Sequence, residues 1–186
     1  MTMTISEMVD VVFDISGDSV PVNYPFELWR ELVRLVPELE GESSVGVLPL
    51  RTTGSDCGML LPKRAKLVVR LPRSIGGSQL KIGKAKLREI QPYSTIHAHL
   101  VVATDDEVAF VENVSARLAD LGITASLICG RQNSLLDGDQ CVQGFSLVIH
   151  DLKPEDSLRL QYNGLGSDRK FGCGIFVLYK AISDLN

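Results

Sequence analysis

The sequence is marked first by what it lacks. No stretch approaches the roughly 20 consecutive apolar residues that a membrane-spanning helix needs, which argues against a membrane partner. The amino terminus, MTMTISEMVD, has neither the basic start nor the apolar stretch of a signal peptide, so we expect a cytoplasmic protein. None of the 4 cysteines has a close neighbour in sequence, which disfavours zinc and favours reduced thiols. We therefore expect no metal and no cofactor.

Acidic residues are missing from one long segment. Although the formal net charge is −4, the chain has no Asp or Glu between Cys57 and Arg88. The cations of that segment are Lys63, Arg64, Lys66, Arg70, Arg73, Lys81, Lys84, Lys86 and Arg88. Because a polyanion responds to the local field, this distribution favours nucleic-acid binding despite the acidic total. A merely solvated strand surface is the alternative.

The apolar pattern of the first half predicts strands alternating with one long helix. Residues 25–39 place Trp29 and other apolar residues at helical spacing behind Pro25, and we expect Phe26 and Trp29 in the core. A segment with the period of a half-exposed strand or hairpin follows at 79–90, so any second helix here is very short or missing. The predicted strands are 8–16, 44–50 and 65–72.

The second half repeats this rhythm. A strand at 95–103 precedes a helix at 105–122, and a short helix at 153–164 begins with a proline and acidic residues. Residues 131–142 are predicted as a polar loop around Asp137-Gly138. The remaining predicted strands are 123–130, 143–152 and the run that begins at 175.

Each half thus reads β-α-β-β-(α)-β, which is the order of a ferredoxin-like domain and of RNA-recognition domains. We predict an α+β protein of tandem ferredoxin-like (RRM-like) domains, residues 1–92 and 93–186, with a glycine-rich loop in the second. A cleft between the two sheets is expected, bordered by the basic segment and by that loop. The fold alone does not assign a function.

The loop QYNGLGSDRKFGCGIF, residues 161–176, brackets an Arg-Lys pair with four glycines. It lacks the G-x-x-x-x-G-K-[ST] pattern of a P-loop, and the third glycine and following helix of a dinucleotide fingerprint. Glycine lets backbone N–H groups approach phosphate oxygens closely, and the two cations add charge. The pattern therefore favours contact with an extended RNA backbone.

The segment DSLRLQYNGLGSDRKFGCGIF resembles the carboxyl-terminal signature of the CRISPR-associated endoribonucleases that process precursor crRNA, within the RAMP superfamily. Similar segments of the myxobacterial-type subgroup match VPVNYPFELWRELVRLVPEL, AKLVVRLP, LICGR and GFSLVIHDL in order. The resemblance implies a doubled ferredoxin-like fold and metal-independent cleavage of CRISPR repeat RNA on the 3′ side of its hairpin. It also implies that the enzyme keeps its crRNA product and joins other subunits in a type I interference complex.

Cleavage of this kind uses the RNA's own 2′-hydroxyl as nucleophile, so a proton must be removed, another supplied, and charge on the phosphate stabilised. The similar subgroup often has a histidine where this chain has Tyr24, and a tyrosine with an ordinary pKa near 10 is a poor base at pH 7. His97 and His99, two residues apart in a predicted strand, share one face with Thr95 and Val101. The opposite face carries Ile96, Ala98, Leu100 and Val102. Tyr24, His97 and His99 are the candidate catalytic residues, whereas His150 is interpreted as structural.

The candidate RNA-binding residues are the cations and glycines expected to border the cleft. They are Arg131, Gly164, Gly166, Arg169, Lys170, Gly172, Gly174, Lys81, Lys84, Lys86 and Arg88. Arg131 is included because it directly follows Cys-Gly at the end of a predicted strand.

Two other functions remain open at this stage. The chain could bind and cap the repeat hairpin with weak or no catalysis, since Tyr24 replaces the expected histidine. It could also be a ferredoxin-like metabolic or metabolite-binding protein, which would explain the acidic total but not the acid-free segment.

Overall fold

The computed structural model describes residues 7–17, 19–21, 23–50, 53–55, 58–61, 64–76, 85–104 and 106–179. These residues divide into two compact units. The first unit comprises the described residues within 1–90, 135–141 and 168–172, and the second comprises those within 91–134, 142–167 and 173–186. The boundary predicted between residues 92 and 93 stays a prediction.

The first unit contains a four-stranded sheet and one long helix. Its strands and helices are β1 (Met8–Asp14), β2 (Ser19–Val20), α1 (Tyr24–Leu35), β3 (Gly46–Val47), β4 (Thr53–Ser55), β5 (Gly58–Leu60), β6 (Lys66–Pro72), α2 (Arg73–Gly76) and β7 (Lys86–Arg88). The main sheet has the order β3-β6-β1-β7, and its paired strands are antiparallel. A smaller sheet of order β2-β5-β4, which the apolar pattern does not predict, lies in the same unit.

The helix α1 is shorter than predicted. It ends at Leu35, and a 3₁₀ helix, Pro37–Gly41, follows it. Proline at position 37 has no backbone N–H to continue the α-helical hydrogen bonds, which explains the early end. The second helix of this unit, α2, has only 4 residues, as predicted.

The second unit has the same plan with two full helices. Its elements are β8 (Ile96–Val102), α3 (Glu107–Asp120), β9 (Ser126–Asp137), β10 (Gln140–His150), α4 (Pro154–Asn163) and β11 (Val177–Leu178), apart from residues 135–141 at the ends of β9 and β10, which belong to the first unit. The carboxylate of Asp106 accepts a hydrogen bond from the backbone N–H of Ala109 at 2.8 Å, which caps α3. The sheet order is β11-β8-β10-β9.

The polar loop predicted at residues 131–142 is wrong. Strands β9 and β10 continue through it as one long hairpin, and only Gly138 and Asp139 form the turn. Gly138 has φ of 60°, the left-handed conformation that a tight hairpin turn requires. Polar residues misled the prediction because a strand with solvent on one side needs few apolar residues.

Both main sheets have one arrangement. When the strands are counted within each unit, the order is fourth-first-third-second, which is the ferredoxin-like topology. In each unit a helix packs on one side of the sheet. Leu32 of α1 belongs to the same buried cluster as Val11 and Val69 in the first unit, and Phe110 of α3 belongs to the same buried cluster as Ile149 in the second. The chain therefore folds as tandem ferredoxin-like domains.

Two smaller expectations have outcomes in the described residues. The cysteines Cys129, Cys141 and Cys173 carry free thiols, whereas Cys57 lies outside the described part. Within that part, no helix combines the length and the apolar character needed to cross a bilayer.

Candidate functional site

The open face of the second unit's sheet carries His97 and His99, as their spacing predicts. Ile96, Ala98 and Leu100 on the other side of β8 are buried, while His97 is half-buried and His99 exposed. This pair is brought together on one strand.

A β-bulge interrupts β8 at His99 and Leu100. Ala98 pairs with Leu147 and Val101 with Phe145, so His99 and Leu100 together face one residue of β10. The bulge turns Val101 into the core, where the simple alternation of a strand would have placed Val102. The prediction that Val101 shares the histidine face is therefore wrong.

Both imidazoles favour the neutral form. Burial lowers the pKa of His97 below its ordinary value of 6.5, and the nearby His99 lowers it further. The pKa of His99 is also lowered, because neighbouring atoms partly desolvate its ring although the residue as a whole is exposed. At pH 7 each ring is therefore a proton acceptor. The ring of Tyr179 lies 5.8 Å from that of His97, centroid to centroid, and the backbone carbonyl of His99 accepts a hydrogen bond of 3.0 Å from Asn133.

The third histidine lies on the same face. Val148 pairs with His97 across the strands, and His150 is two residues from Val148 on β10, so all three imidazoles share one side of the sheet. Nδ1 of His150 is 2.9 Å from a carboxylate oxygen of Asp151. Phe145, Leu147 and Ile149 are buried and alternate with half-buried residues along β10. This period of two is the sequence signal that places His150 on the face opposite the core.

Tyr24 belongs to the first unit, and a backbone N–H holds its hydroxyl group in place. Its hydroxyl accepts a hydrogen bond of 3.1 Å from the backbone N–H of Leu50. Burial raises the pKa of Tyr24 above its ordinary value of 10.0, only partly opposed by this hydrogen bond. Tyr24 is therefore a worse base than an exposed tyrosine, although its O–H proton can still be donated.

The glycine-rich segment between α4 and β11 is folded, and its glycines have a conformational reason. Gly164, Gly166, Gly172 and Gly174 all have positive φ, between 65° and 88°. A Cβ on Gly174 would lie 2.0 Å from the carbonyl oxygen of Leu165. The N–H of Leu165 donates to the carbonyl of Gly174 at 3.0 Å, and the N–H of Gly174 donates to Leu100 at 2.7 Å. Several of the amides therefore stabilise the segment itself.

The two cations of the segment have different environments. Both belong to a 3₁₀ turn, Arg169–Phe171, in the first unit, where the ring of Phe171 packs against Phe26 at 4.5 Å. Arg169 is buried, and this burial together with the charge of Arg70 lowers the pKa of Arg169 to about 10, so it stays charged at pH 7. Lys170 is exposed, with Nζ 5.1 Å from the centre of the Phe171 ring.

Four cations of the acid-free segment, Lys66, Arg70, Lys86 and Arg88, share one face of the first unit's sheet. Strand register places Arg70 and Arg88 beside Asp10, and Lys86 beside Val12. Lys66 and Arg70 are separated by an even number of residues on β6, so both point to the same side of the sheet. The four cations therefore lie on the side opposite the apolar core.

Carboxylates from β1 partly neutralise this face. Arg70 donates to Asp10 from Nε at 2.7 Å and from Nη2 at 3.1 Å, and Arg88 approaches the same carboxylate at 3.3 Å. Lys66 pairs with Asp14. Four cations against two carboxylates still leave an excess of positive charge, with Lys86 and Arg88 exposed.

Three predicted binding residues remain. Arg131 is exposed, but it lies within β9 and not at a strand end, so the reason given for choosing it is wrong. Lys81 and Lys84 lie outside the described residues. Within the described ranges, no group of three His, Cys, Asp or Glu side chains is placed to hold a metal ion.

The fold and these faces place the chain in a class of tandem ferredoxin-like proteins that includes solved CRISPR-associated structures. The protein described as the product of a Cas6-related gene from Pyrococcus furiosus superimposes with a TM-score of 0.63 at 12% identity, covering 94% of this chain and 98% of the other. Cse3 of Thermus thermophilus, bound to an RNA representing a pre-cleavage complex, gives 0.55 at 16% identity, covering 94% and 100%.

Sequence similarity identifies the family. The family model described as Cas6 Crispr matches residues 9–181. The CRISPR-associated endonuclease Cas6 of Myxococcus xanthus (strain DK1622) is 32% identical over an alignment of 185 residues that covers 91% of this chain and 80% of the relative. The chain belongs to the Cas6 family, which confirms the resemblance seen in the sequence and leaves the metabolic alternative without support.

Proposed function

We propose that this protein is a metal-independent endoribonuclease that cleaves CRISPR repeat RNA and remains bound to the crRNA within a type I interference complex. Membership of the Cas6 family, with a relative named as an endonuclease, supports nuclease activity. The observation that carries the proposed chemistry is the pair of neutral imidazoles on the open face of β8.

In this reaction the 2′-hydroxyl oxygen attacks the adjacent phosphorus while the P–O5′ bond breaks. The products are a 2′,3′-cyclic phosphate and a 5′-hydroxyl, so no water molecule and no metal-bound nucleophile is consumed. A base takes the 2′ proton and an acid protonates the departing 5′ oxygen. His97 or His99, neutral at pH 7, can accept that first proton and return it to the leaving oxygen.

Tyr24 has a different part in this proposal. Its raised pKa excludes it as the base at neutral pH, but its O–H can donate a hydrogen bond to the 2′-hydroxyl or to a phosphate oxygen. The Leu50 N–H fixes the phenol oxygen, so the hydroxyl is already oriented before RNA binds.

RNA is held, in this proposal, by phosphate contacts of exposed cations. Lys86 and Arg88 on the first unit's sheet, together with Lys170 of the glycine-rich segment, are suited to this because they are exposed. The glycines 164, 166, 172 and 174 shape the segment that carries Arg169 and Lys170. Arg169 adds positive charge to the segment, but because it is buried it is less suited than Lys170 to direct contact with RNA.

The proposed phosphate contacts can be tested with one exposed residue. Replacing Lys170 with Ala removes one phosphate contact, so we expect weaker repeat-RNA binding and a salt-dependence slope that is smaller by about 1. The matched variant Lys153→Ala lies outside the proposed RNA contacts and should leave the slope unchanged. Gel-shift titrations between low and physiological salt give both slopes. An unchanged slope for Lys170→Ala would show that Lys170 makes no phosphate contact.

Cleavage is tested with end-labelled CRISPR repeat RNAs from the genome that encodes the chain, incubated with excess protein in EDTA. We expect a product that ends in a cyclic phosphate, recognised by its resistance to phosphatase until acid opens the ring. A product with a 3′-hydroxyl, or cleavage that requires Mg²⁺, would contradict the proposed chemistry.

A second candidate function is a repeat-RNA-binding subunit with little or no catalysis. One observation favours it: Tyr24, at the position where the resemblance to the myxobacterial-type subgroup implies a histidine, is half-buried and has a raised pKa. Intact RNA that remains bound in the same EDTA assay would support this function over the nuclease.

A further inference from the structure

A cleft of about 370 Å³ in the first unit has no part in the reaction described above. It lies between the end of the 3₁₀ helix Pro37–Gly41 with the following loop and the turn that carries Arg169. The side chains that line it and matter here are Trp29, Glu40, Glu42, Asp168, Arg169 and Lys170. Its volume is within the range of roughly 300–1,000 Å³ found for small-molecule sites.

The charge of this lining selects against a bare phosphate. Three carboxylates face two cations, so the cleft as a whole is not positive. Carboxylates only accept hydrogen bonds, and a ligand that fits them must present N–H or O–H donors. Glu42 is already positioned by a hydrogen bond of 2.7 Å from the hydroxyl of Ser44.

Trp29 supplies a flat apolar wall. It packs partly against the first unit's apolar core and is only half-buried, so part of the indole faces the cleft. The expectation that Phe26 and Trp29 are both core residues is confirmed for Phe26 and incomplete for Trp29. Stacking on an aromatic ring is a source of affinity that is open to every unpaired nucleobase.

Resting on the proposed RNA function, we propose that this cleft receives one unpaired guanine of the RNA. Guanine stacks on Trp29, and its N1–H and N2 amino group donate to one carboxylate, with Glu40 as the exposed and accessible partner. Adenine and cytosine offer one amino donor beside an acceptor, and uracil offers one N–H between two carbonyls, so none of them matches a carboxylate twice. Exposed Lys170 meets the adjoining phosphate.

Trp29 makes the test direct because the chain has 1 tryptophan. The probes are five-nucleotide oligouridylates that are unchanged or carry guanosine, inosine or adenosine at the centre, titrated at low salt. We expect quenching of Trp29 fluorescence by the guanosine probe with an affinity roughly tenfold above the adenosine probe. Inosine, which lacks the N2 amino group, should lie between them.

The matched variants are Glu40→Gln and Glu38→Gln, which make the same change on exposed residues of one 3₁₀ helix. Glu40→Gln should remove most of the preference for guanosine, because an amide offers only one acceptor oxygen. Glu38 is not part of the cleft lining, so Glu38→Gln should keep the preference.

Parallel gel shifts with the repeat RNA separate the two proposals. Repeat RNA that binds without any response of Trp29 to the guanosine probe would overturn the guanine site while the RNA function stands. Equal quenching by all four probes would also overturn it, leaving only a nonspecific stacking surface. Loss of binding to every RNA would overturn both.

Discussion

The two ferredoxin-like units share a strand order but place different groups on the sheet face away from the apolar core. In the first unit that face holds Arg70 and Asp10 as a buried ion pair, with 2% and 3% of each residue exposed. In the second unit it holds three histidines, at least partly open to solvent. The helices differ as well, because α2 has 4 residues where α4 has 10.

This difference teaches that the apolar face preserves the fold while the opposite face is free to diverge. Alternation along each strand lets one side carry Val11 or Ile96 and the other side carry charge or imidazole without disturbing the core. The first unit then carries fixed charge that suits phosphate, and the second carries groups that titrate near neutrality. Breaking each face by itself therefore gives different consequences.

The largest effect is expected from the second unit's histidines. Replacing His97 or His99 with Ala removes a proton acceptor, and general acid–base catalysis is typically responsible for a factor of about 10²–10⁴. We expect a fall of that size in the single-turnover cleavage rate for the catalytic histidine, with repeat-RNA affinity changed little. His150→Ala is the control on the same face. If all three variants cleave at the original rate, this face has no catalytic role.

The next effect is on the stability of the first unit. Asp10→Ala leaves the buried guanidinium of Arg70 without the carboxylate that accepts two of its hydrogen bonds, and such losses destabilise by about 3–5 kcal/mol. Chemical denaturation measures this change. Asp14→Ala, on the same strand, breaks an exposed pair with Lys66 and should leave the transition unchanged. Equal effects of the two variants would show that burial of the first pair has no energetic consequence.

A smaller effect is expected in the glycine-rich segment. Gly174→Ala and Gly122→Ala both place a side chain at positive φ, 67° and 70°, which destabilises by about 1–3 kcal/mol. Only at Gly174 would the new Cβ also meet a backbone carbonyl, so this variant should melt at the lower temperature of the two. Identical melting temperatures would mean that the segment moves to accommodate a methyl group.

The smallest effect is a dependence of stability on pH. Because the pKa values of His97 and His99 are lowered on folding, the unfolded chain binds more protons, and stability present above pH 6.5 is lost as the pH falls through the folded-state values. Melting temperatures from pH 7.5 to 5 should fall less for a His97→Asn, His99→Asn double variant. The cleavage rate should likewise hold down to pH 6.5 and decline below it, whereas an optimum that requires charged histidines would reverse this sign.

Local patterns predicted much of this architecture because they depend on neighbouring residues. The helix α3 begins at a capping aspartate, and α4 begins at a proline with acids in its first turn. Predictions failed where local signals conflict: Pro37 ends α1 inside an apolar period, and the polar residues of β9 continue a strand. The bulge at His99 and Leu100 could not be predicted from local sequence either, because it depends on how β8 pairs with β10.

The sequence by itself determined the duplicated order of elements, the two histidines on one strand face, and the family, since periodicity and an ordered set of glycines are properties of the chain alone. Only the tertiary structure decided that Lys66 and Arg70 of the acid-free segment find their carboxylates on β1. It likewise decided that Arg169 is buried while Lys170 is exposed. It also decided that Trp29 borders a cleft lined by Glu40 and Asp168. The physical reason is that burial and charge pairing join residues far apart in sequence, and no local pattern encodes which of them will meet.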